Sequence, residues 1–180
     1  MPSFLTARRS FMQTRGRYMT SDDLNRSLPT LFRELVYGAP PTGAFVLNPG
    51  DGGLLVALDG LSSSEASKSS NEGASIAAHV EHLRYGLSLM NRWAAGEKNP
   101  FADADWTASW ERRAVSDVEW AALRQSLREE AERWYAALQE SRKVVGVALD
   151  GVIGSVMHVA YHLGAIRQIA SGARGPRADA

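Results

Sequence analysis

Residues 144–170 read VVGVALDGVIGSVMHVAYHLGAIRQIA, and this stretch decides the predicted fold. Its apolar side chains recur mostly three or four positions apart, which is the spacing of one face of an α-helix. The pattern predicts a helix from about Val144 to Ala170 that ends before Gly172. The apolar positions of this predicted helix are Val145, Leu149, Ile153, Val156, Met157, Ala160 and Ile169.

Three further segments have the same periodicity. A first helix is predicted between Ser21 and Gly38, a second over about Ser75–Ala95, and a third after the cap at Ser116. No segment makes a convincing strand. Four long helical segments predict an all-α fold, namely an up-and-down four-helix bundle with one longer crossover.

Composition limits the functions that the chain can have. The chain has 180 residues, of which 44% are hydrophobic, and this fits one domain with a proper core. Twenty basic residues balance twenty acidic ones, so there is no general attraction to nucleic acid or to an anionic membrane. The absence of cysteine excludes disulfides, thiolate metal ligands and a cysteine nucleophile. Because no stretch is long and apolar enough for a signal peptide or a membrane span, we expect a cytoplasmic protein.

The periodic pattern does not cover the whole chain. We divide the chain into an N-terminal extension at 1–19, a helical bundle at 20–172 and a C-terminal tail at 173–180. Between the second and third predicted helices lies an aromatic-rich loop that contains Trp106 and Trp110. These two tryptophans are expected either to line the mouth of a pocket or to form a small satellite cluster.

The four histidines of the chain fall into two close pairs on two predicted helices. His158 and His162 are four positions apart, so they lie on one helix face, one turn apart, as two imidazoles that bind one metal do. His79 and His82 are three positions apart, which is a looser version of the same arrangement. The neighbours of His158 and His162 are apolar or small, which predicts burial, and a buried imidazole needs partners. A metal-free core, in which the histidines only pack and form hydrogen bonds, remains an alternative.

Two segments carry a resemblance to a known family. Residues 75–83, SIAAHVEHL, are similar to the second helix of DinB/YfiT-like proteins, and residues 158–166, HVAYHLGAI, are similar to their fourth helix. The resemblance covers roughly residues 20–172. It implies a DinB-like four-helix bundle that holds a divalent metal, typically nickel or zinc and sometimes iron or manganese. Many relatives are homodimers, and several transfer a low-molecular-weight thiol such as mycothiol or bacillithiol.

In that family the metal is bound by one histidine of the second helix and both of the fourth. Alignment with the motif implies that His82, His158 and His162 are the ligands, and that His79 lies beyond the ligand shell or substitutes for a ligand. Helix phase alone prefers His79, which points about 60° from the apolar stripe, whereas His82 points about 120° away. We choose His82, because metal sites of this kind often lie at the edge of a core.

Two functional hypotheses follow from the sequence. The first is a metal-dependent enzyme, a thiol S-transferase or a hydrolase, in which the metal activates a low-molecular-weight thiol or water against a small-molecule substrate. No residue is assigned a catalytic role beyond the ligands. The alternative is a non-catalytic metal- or ligand-binding bundle with a stress-related or sensing role. No nucleic acid or membrane partner is expected. The chain is expected to form a homodimer.

Smaller expectations concern single side chains. Phe32, Val36 and Tyr37 lie beyond the core stripe of the first helix and are candidates for a dimer face. Tyr161 is expected to pack in the core, and Glu81 to be solvated at the surface. Arg84 and Arg167 are candidates for contact with an anionic substrate.

Overall fold

The computed structural model describes residues 20–69 and 73–175, and within these ranges the protein is all-α. The predicted extension at 1–19 lies outside the described residues. In the described ranges the only strand-like pairing is one isolated bridge between Ser69 and Ser75. The α-helices are α1 (Ser21–Tyr37), α2 (Gly53–Asp59), α3 (Ser63–Ala66), α4 (Ile76–Ala94), α5 (Asp117–Gln139) and α6 (Val147–Ile169), with 3-10 turns at Ala108–Trp110 and Ser171–Ala173.

Side-chain caps explain where three of the long helices begin. The hydroxyls of Thr20 and Ser116 accept from the backbone amides of Asp23 and Glu119, whose carboxylates bond back to the cap residues. Ser75 caps α4 by accepting from the amide of Ala78. Each cap supplies an acceptor to an amide that has no partner within the helix. The predicted start of the third helix is therefore confirmed, and α1 has its cap one residue before the predicted one.

Each of the four long helices packs against two others. Helix α5 contacts both α1 and α4, and α6 also contacts both of them. The side chains at the centre include Phe32, Leu127, Trp134 and Leu163, all of which are at most 2% exposed. This arrangement places α4 directly beside α6, the two helices that carry all four histidines.

Helix α6 begins later than predicted and exposes part of its apolar sequence. The residue before the helix, Gly146, has φ +60°, so the chain enters the helix through a left-handed residue. Val145 precedes this turn and is exposed, as is Met157 within the helix. Tyr161, expected in the core, is 67% exposed, so that prediction was wrong. It precedes His162 by one position, which turns it about 100° away from that buried side chain.

The expected dimer face on the first helix is also wrong. Phe32 and Val36 are fully buried in the core of the same chain. Tyr37 is half-buried and packs edge to face against Tyr135, with ring centroids 5.8 Å apart. Phe32 and Val36 fill the interior between α1 and its neighbours, so they cannot contact a second copy.

The loop between α1 and α2 is held by two buried carboxylates. Glu34 accepts from the backbone amides of Phe45, Val46 and Leu47. Asp51 forms an ion pair with Arg167 of α6, at 2.7 Å between oxygen and nitrogen. Arg167 is thus occupied within the fold and is not the predicted contact for an anionic substrate.

Among the described helices, none combines the length and hydropathy that a bilayer span requires.

Candidate metal centre

The packing of α4 against α6 brings all four histidines into one cluster. His79 and His82 come from α4, and His158 and His162 come from α6. One ring nitrogen from each of His82, His158 and His162 lies within 4.8 Å of the other two. His162 is completely buried, and His79 and His82 are each 9% exposed. The predicted ligand set is therefore close together in space, and His79 lies beside it.

His162 is the hub of the cluster. Its Nδ1 lies 2.9 Å from Nδ1 of His79, and its Nε2 lies 2.7 Å from Nε2 of His158. A neutral imidazole carries a single N–H, so His162 donates in one of these contacts and accepts in the other. If one nitrogen of His162 changes between hydrogen-bond donor and acceptor, the other nitrogen must therefore change in the opposite sense.

The tautomer of His82 follows from a count of protons. The hydroxyl of Ser109 donates its one proton to the carbonyl oxygen of Trp106, at 2.6 Å. The same hydroxyl oxygen lies 2.7 Å from Nδ1 of His82. Because the hydroxyl proton is already committed, Ser109 must accept from His82, and the proton of a neutral His82 lies on Nδ1. The lone pair of His82 is then on Nε2, where it is free to bind an ion.

Two tryptophans cover the cluster. The ring of Trp110 stacks on that of His82, with centroids 4.1 Å apart and planes at 22°, and meets His79 edge to face at 5.2 Å. Trp106 approaches His82 at 5.4 Å. Both tryptophans come from the loop in which the sequence predicted either a pocket mouth or a small satellite cluster. They shield the imidazoles from water on the side that faces away from the helices.

Burial keeps these imidazoles neutral. Desolvation, with a smaller contribution from the neighbouring histidines, lowers the pKa of His82 to about 4 and that of His162 to about 2. Desolvation also lowers the pKa of His79 and of His158. At neutral pH the cluster consequently consists of uncharged rings, each with one nitrogen lone pair, and this is the form of histidine that binds metal ions.

The donor set is made of nitrogen alone. Among the residues that the structure describes, no carboxylate joins the group of three histidines. The nearest in sequence, Glu81, forms ion pairs with Arg84 and Arg112, and its side chain is only 16% exposed. It is therefore not the solvated surface residue that was predicted, and Arg84 is engaged rather than free for a substrate. Imidazole donors suit zinc, nickel, copper and iron better than magnesium or calcium.

Ser109 is the residue that the sequence did not reveal. It lies 27 positions from His82 in a short 3-10 turn, and no spacing rule connects a serine there with a histidine on α4. Its only signal in the sequence is the proximity of Trp106 and Trp110, which mark the loop and not the serine.

Comparison with known proteins gives no match. No family model fits the chain, and neither a curated protein nor a solved structure is significantly similar to it. A proposal for its function therefore rests on the geometry and chemistry of the histidine cluster.

Proposed function

We propose that the protein is a DinB-like four-helix bundle that binds one divalent metal ion through His82, His158 and His162. The observation that carries this proposal is the convergence of three imidazole nitrogens from two helices within 4.8 Å. Tetrahedral coordination at 2.0–2.1 Å from each nitrogen requires the nitrogens to lie roughly 3.3 Å apart. The pair at 2.7 Å would open slightly, and the wider separations would close, by small rotations of the rings.

The hydrogen bonds around the cluster support this choice of ligands. With the Nε2 lone pairs of His158 and His162 directed at one ion, His162 keeps its proton on Nδ1 and donates it to Nδ1 of His79. Ser109 holds the proton of His82 on Nδ1 in the same way. Histidine ligands in proteins commonly donate their second N–H to such a partner, which fixes the tautomer and the orientation of the ring. His79 then serves as the acceptor for a ligand.

The arrangement suits an enzyme. A divalent ion held by three imidazoles has room for a further ligand, and it lowers the pKa of a bound water or thiol into the neutral range. We therefore propose a cytoplasmic metal-dependent transferase or hydrolase acting on a small molecule, with nickel or zinc as the metal. A low-molecular-weight thiol as the activated group, and a homodimer as the assembly, rest on the resemblance to DinB-like proteins.

The first experiment is elemental analysis of the purified protein without an affinity tag. We expect about one nickel or zinc ion per chain in the wild type, and loss of that metal in His82→Ala and in His158→Ala. His79→Ala is the matched control, because it removes a histidine of the same cluster; we expect it to weaken metal binding without abolishing it. Loss of metal in His79→Ala with retention in His82→Ala would reverse the choice of ligand. A wild type that takes up no metal after loading would contradict the proposal.

A second candidate is a structural metal site without catalysis. It is favoured by the complete burial of His162 and by the cover that Trp106 and Trp110 form over the cluster. Substitution with cobalt(II) separates the two functions, because the visible absorption of cobalt reports its ligands. A spectrum that changes on addition of 2-mercaptoethanol indicates an exchangeable position and supports the enzyme. A spectrum that does not change supports the structural site.

A further inference from the structure

A cavity of about 160 Å³, open to solvent on one side, lies between α4 and α6, directly beside His158. Phe101 and Trp106, from the loop after α4, form its outer wall. Its size is close to that of an engineered protein cavity of about 150 Å³ that binds benzene. The space is therefore large enough for one aromatic ring or a short branched alkyl group.

Glycines on both helices keep this space open. Gly86 of α4 faces His158, and a Cβ built there would lie 3.5 Å from Cε1 of that imidazole. Gly151 and Gly154 of α6 also line the cavity, and a Cβ on either would meet no atom within 4 Å. Glycine costs up to about 1 kcal/mol relative to alanine inside a helix. Neither α6 glycine is needed to avoid a clash, so what both provide is volume in the cavity.

The lining of the cavity is apolar and uncharged. Leu87, Met90, Phe101 and Trp106 supply most of it, and none of the lining residues carries a charge at neutral pH. The hydroxyl of Ser155 is already satisfied, because it donates to the carbonyl of Val152 and accepts from the indole of Trp134. The wall can thus bury an apolar group, but it has no charged side chain that could form an ion pair with a charged group.

His158 joins the cavity to the proposed metal site. Its Nε2 faces Nε2 of His162, where the ion would lie, whereas its Nδ1 and Cε1 edge faces Gly86 at the wall of the cavity. Nδ1 has no hydrogen-bond partner among the residues that the structure describes. A molecule bound at the open coordination position of the ion would therefore lie no more than the width of one imidazole ring from the cavity.

We propose that this cavity is the subsite for an uncharged apolar group, about the size of one aromatic ring, on the small molecule that the metal centre binds. The inference rests on the proposed metal-dependent function and adds a class of substrate to it. An aromatic or branched aliphatic thiol or electrophile fits both parts of the site, whereas a molecule with a charged group at this position does not.

The test compares two thiols on the cobalt(II)-loaded protein. Benzyl mercaptan carries an aromatic ring and 2-mercaptoethanol does not, and both report binding through the cobalt absorption. We expect benzyl mercaptan to bind the wild type about tenfold more tightly or better, as burial of a ring predicts. Gly154→Leu places a side chain in the cavity and should remove this preference while leaving cobalt content and affinity for 2-mercaptoethanol unchanged.

Gly164→Leu is the matched control. Gly164 lies on the same helix, its Cβ would also meet no atom within 4 Å, and it does not line the cavity. Its leucine variant should keep the full preference for benzyl mercaptan. An equal preference in the wild type and in Gly154→Leu, or no preference in the wild type, would overturn the inference.

A metal-free measurement separates failure of this inference from failure of the proposed function. Benzyl alcohol is titrated into the chelator-treated protein, and the indole N–H signal of Trp106, assigned with Trp106→Phe, is followed by NMR. We expect saturable shifts in the wild type and in Gly164→Leu and none in Gly154→Leu. Binding of benzyl alcohol by a protein that takes up no metal would contradict the proposed function and leave the apolar subsite standing. Metal uptake without binding of either aromatic probe would contradict the subsite alone.

Discussion

The four histidines are chemically identical, but their hydrogen-bond partners differ, and these partners set which ring nitrogen carries the proton. His82 is tied to Ser109, whose only proton is committed to a carbonyl, so its own proton stays on Nδ1. His162 is tied to His79 on one side and to His158 on the other. At the scale of single residues, the partner of each ring decides which nitrogen is available to an ion.

Removal of the partner of His82 should therefore weaken the metal centre. We expect Ser109→Ala to lower metal affinity by about 10- to 100-fold, because His82 loses the acceptor that fixes its tautomer and orientation. Competition with a chromophoric chelator measures this affinity. Ser88→Ala is the control, since Ser88 donates to a carbonyl of its own helix and does not contact the cluster. An affinity of Ser109→Ala equal to that of Ser88→Ala would contradict the assignment.

The buried imidazoles also predict how the metal-free protein responds to acid. An unfolded histidine has a pKa near 6.5, whereas folding lowers the pKa of His82 to about 4 and that of His162 to about 2. Below pH 6.5 the unfolded chain takes up protons that the folded chain does not, so stability is complete above pH 6.5 and is lost as pH falls. Each such group contributes a slope of up to about 1.4 kcal/mol per pH unit.

Urea unfolding in the presence of a chelator, at pH 7.5 and at pH 5.5, measures this loss. We expect a lower unfolding free energy at pH 5.5 in the wild type. The double variant His82→Gln/His162→Gln lacks two of the four groups and should lose less over the same interval. A free energy of unfolding that is constant or rises toward pH 5.5 would contradict the burial of neutral imidazoles.

At the scale of elements, the end of α1 meets the start of α2 through backbone contact. The amide of Ala39 donates to the carbonyl of Asp51 at 2.8 Å. Gly53 has φ +71°, and a Cβ on it would lie 2.6 Å from the backbone nitrogen of Gly38. Only a residue without a side chain allows this approach, which positions the loop at 39–52 against α1.

Gly53→Ala should therefore destabilise the protein more than its conformational strain alone predicts. Gly43 is the matched control, because it also has positive φ, at +79°, but a Cβ there would meet nothing within 4 Å. We expect Gly43→Ala to lower the unfolding free energy by about 1 kcal/mol, from left-handed strain, and Gly53→Ala by about 3 kcal/mol, from strain and overlap together. Chemical denaturation measures both values. Equal losses in the two variants would show that the backbone contact is not tight.

At the scale of the whole molecule, the proposed metal centre would link two long helices. His82 belongs to α4 and His158 to α6, and α5 lies between these helices in sequence. An ion that binds both helices binds the folded chain and not the unfolded one, so it stabilises the fold by mass action. The stability of the fold and the binding of the metal should for this reason be coupled.

Zinc or nickel should raise the melting temperature of the metal-free protein. At a hundredfold excess of free ion over the dissociation constant, the gain is about 2.7 kcal/mol, which corresponds to roughly 5–10 °C for a domain of this size. Differential scanning calorimetry measures the shift. Magnesium is the control ion, because it prefers oxygen ligands, and His158→Ala is the control protein. Equal shifts with zinc in the wild type and in His158→Ala would place the ion elsewhere.

The sequence by itself determined the four long helices, apart from the start of α6, and the pairing of histidines within α4 and within α6. Periodicity of apolar residues and side-chain caps act over a few positions, so they can be recognised without knowledge of the fold. The cap at Ser116 and the spacing of His158 and His162 are of this kind. The identity of the ligands, the metal and the reaction stay predictions.

Only the tertiary structure decided which faces are buried and which groups meet. Phe32 was expected at a dimer interface and is in the core, and Tyr161 was expected in the core and is exposed. The bond from His82 to Ser109 and the contact between His79 and His162 join residues 27 and 83 positions apart. The physical reason is that the period of a helix is visible in the local sequence. Burial and side-chain partners depend instead on which distant segments pack against that helix.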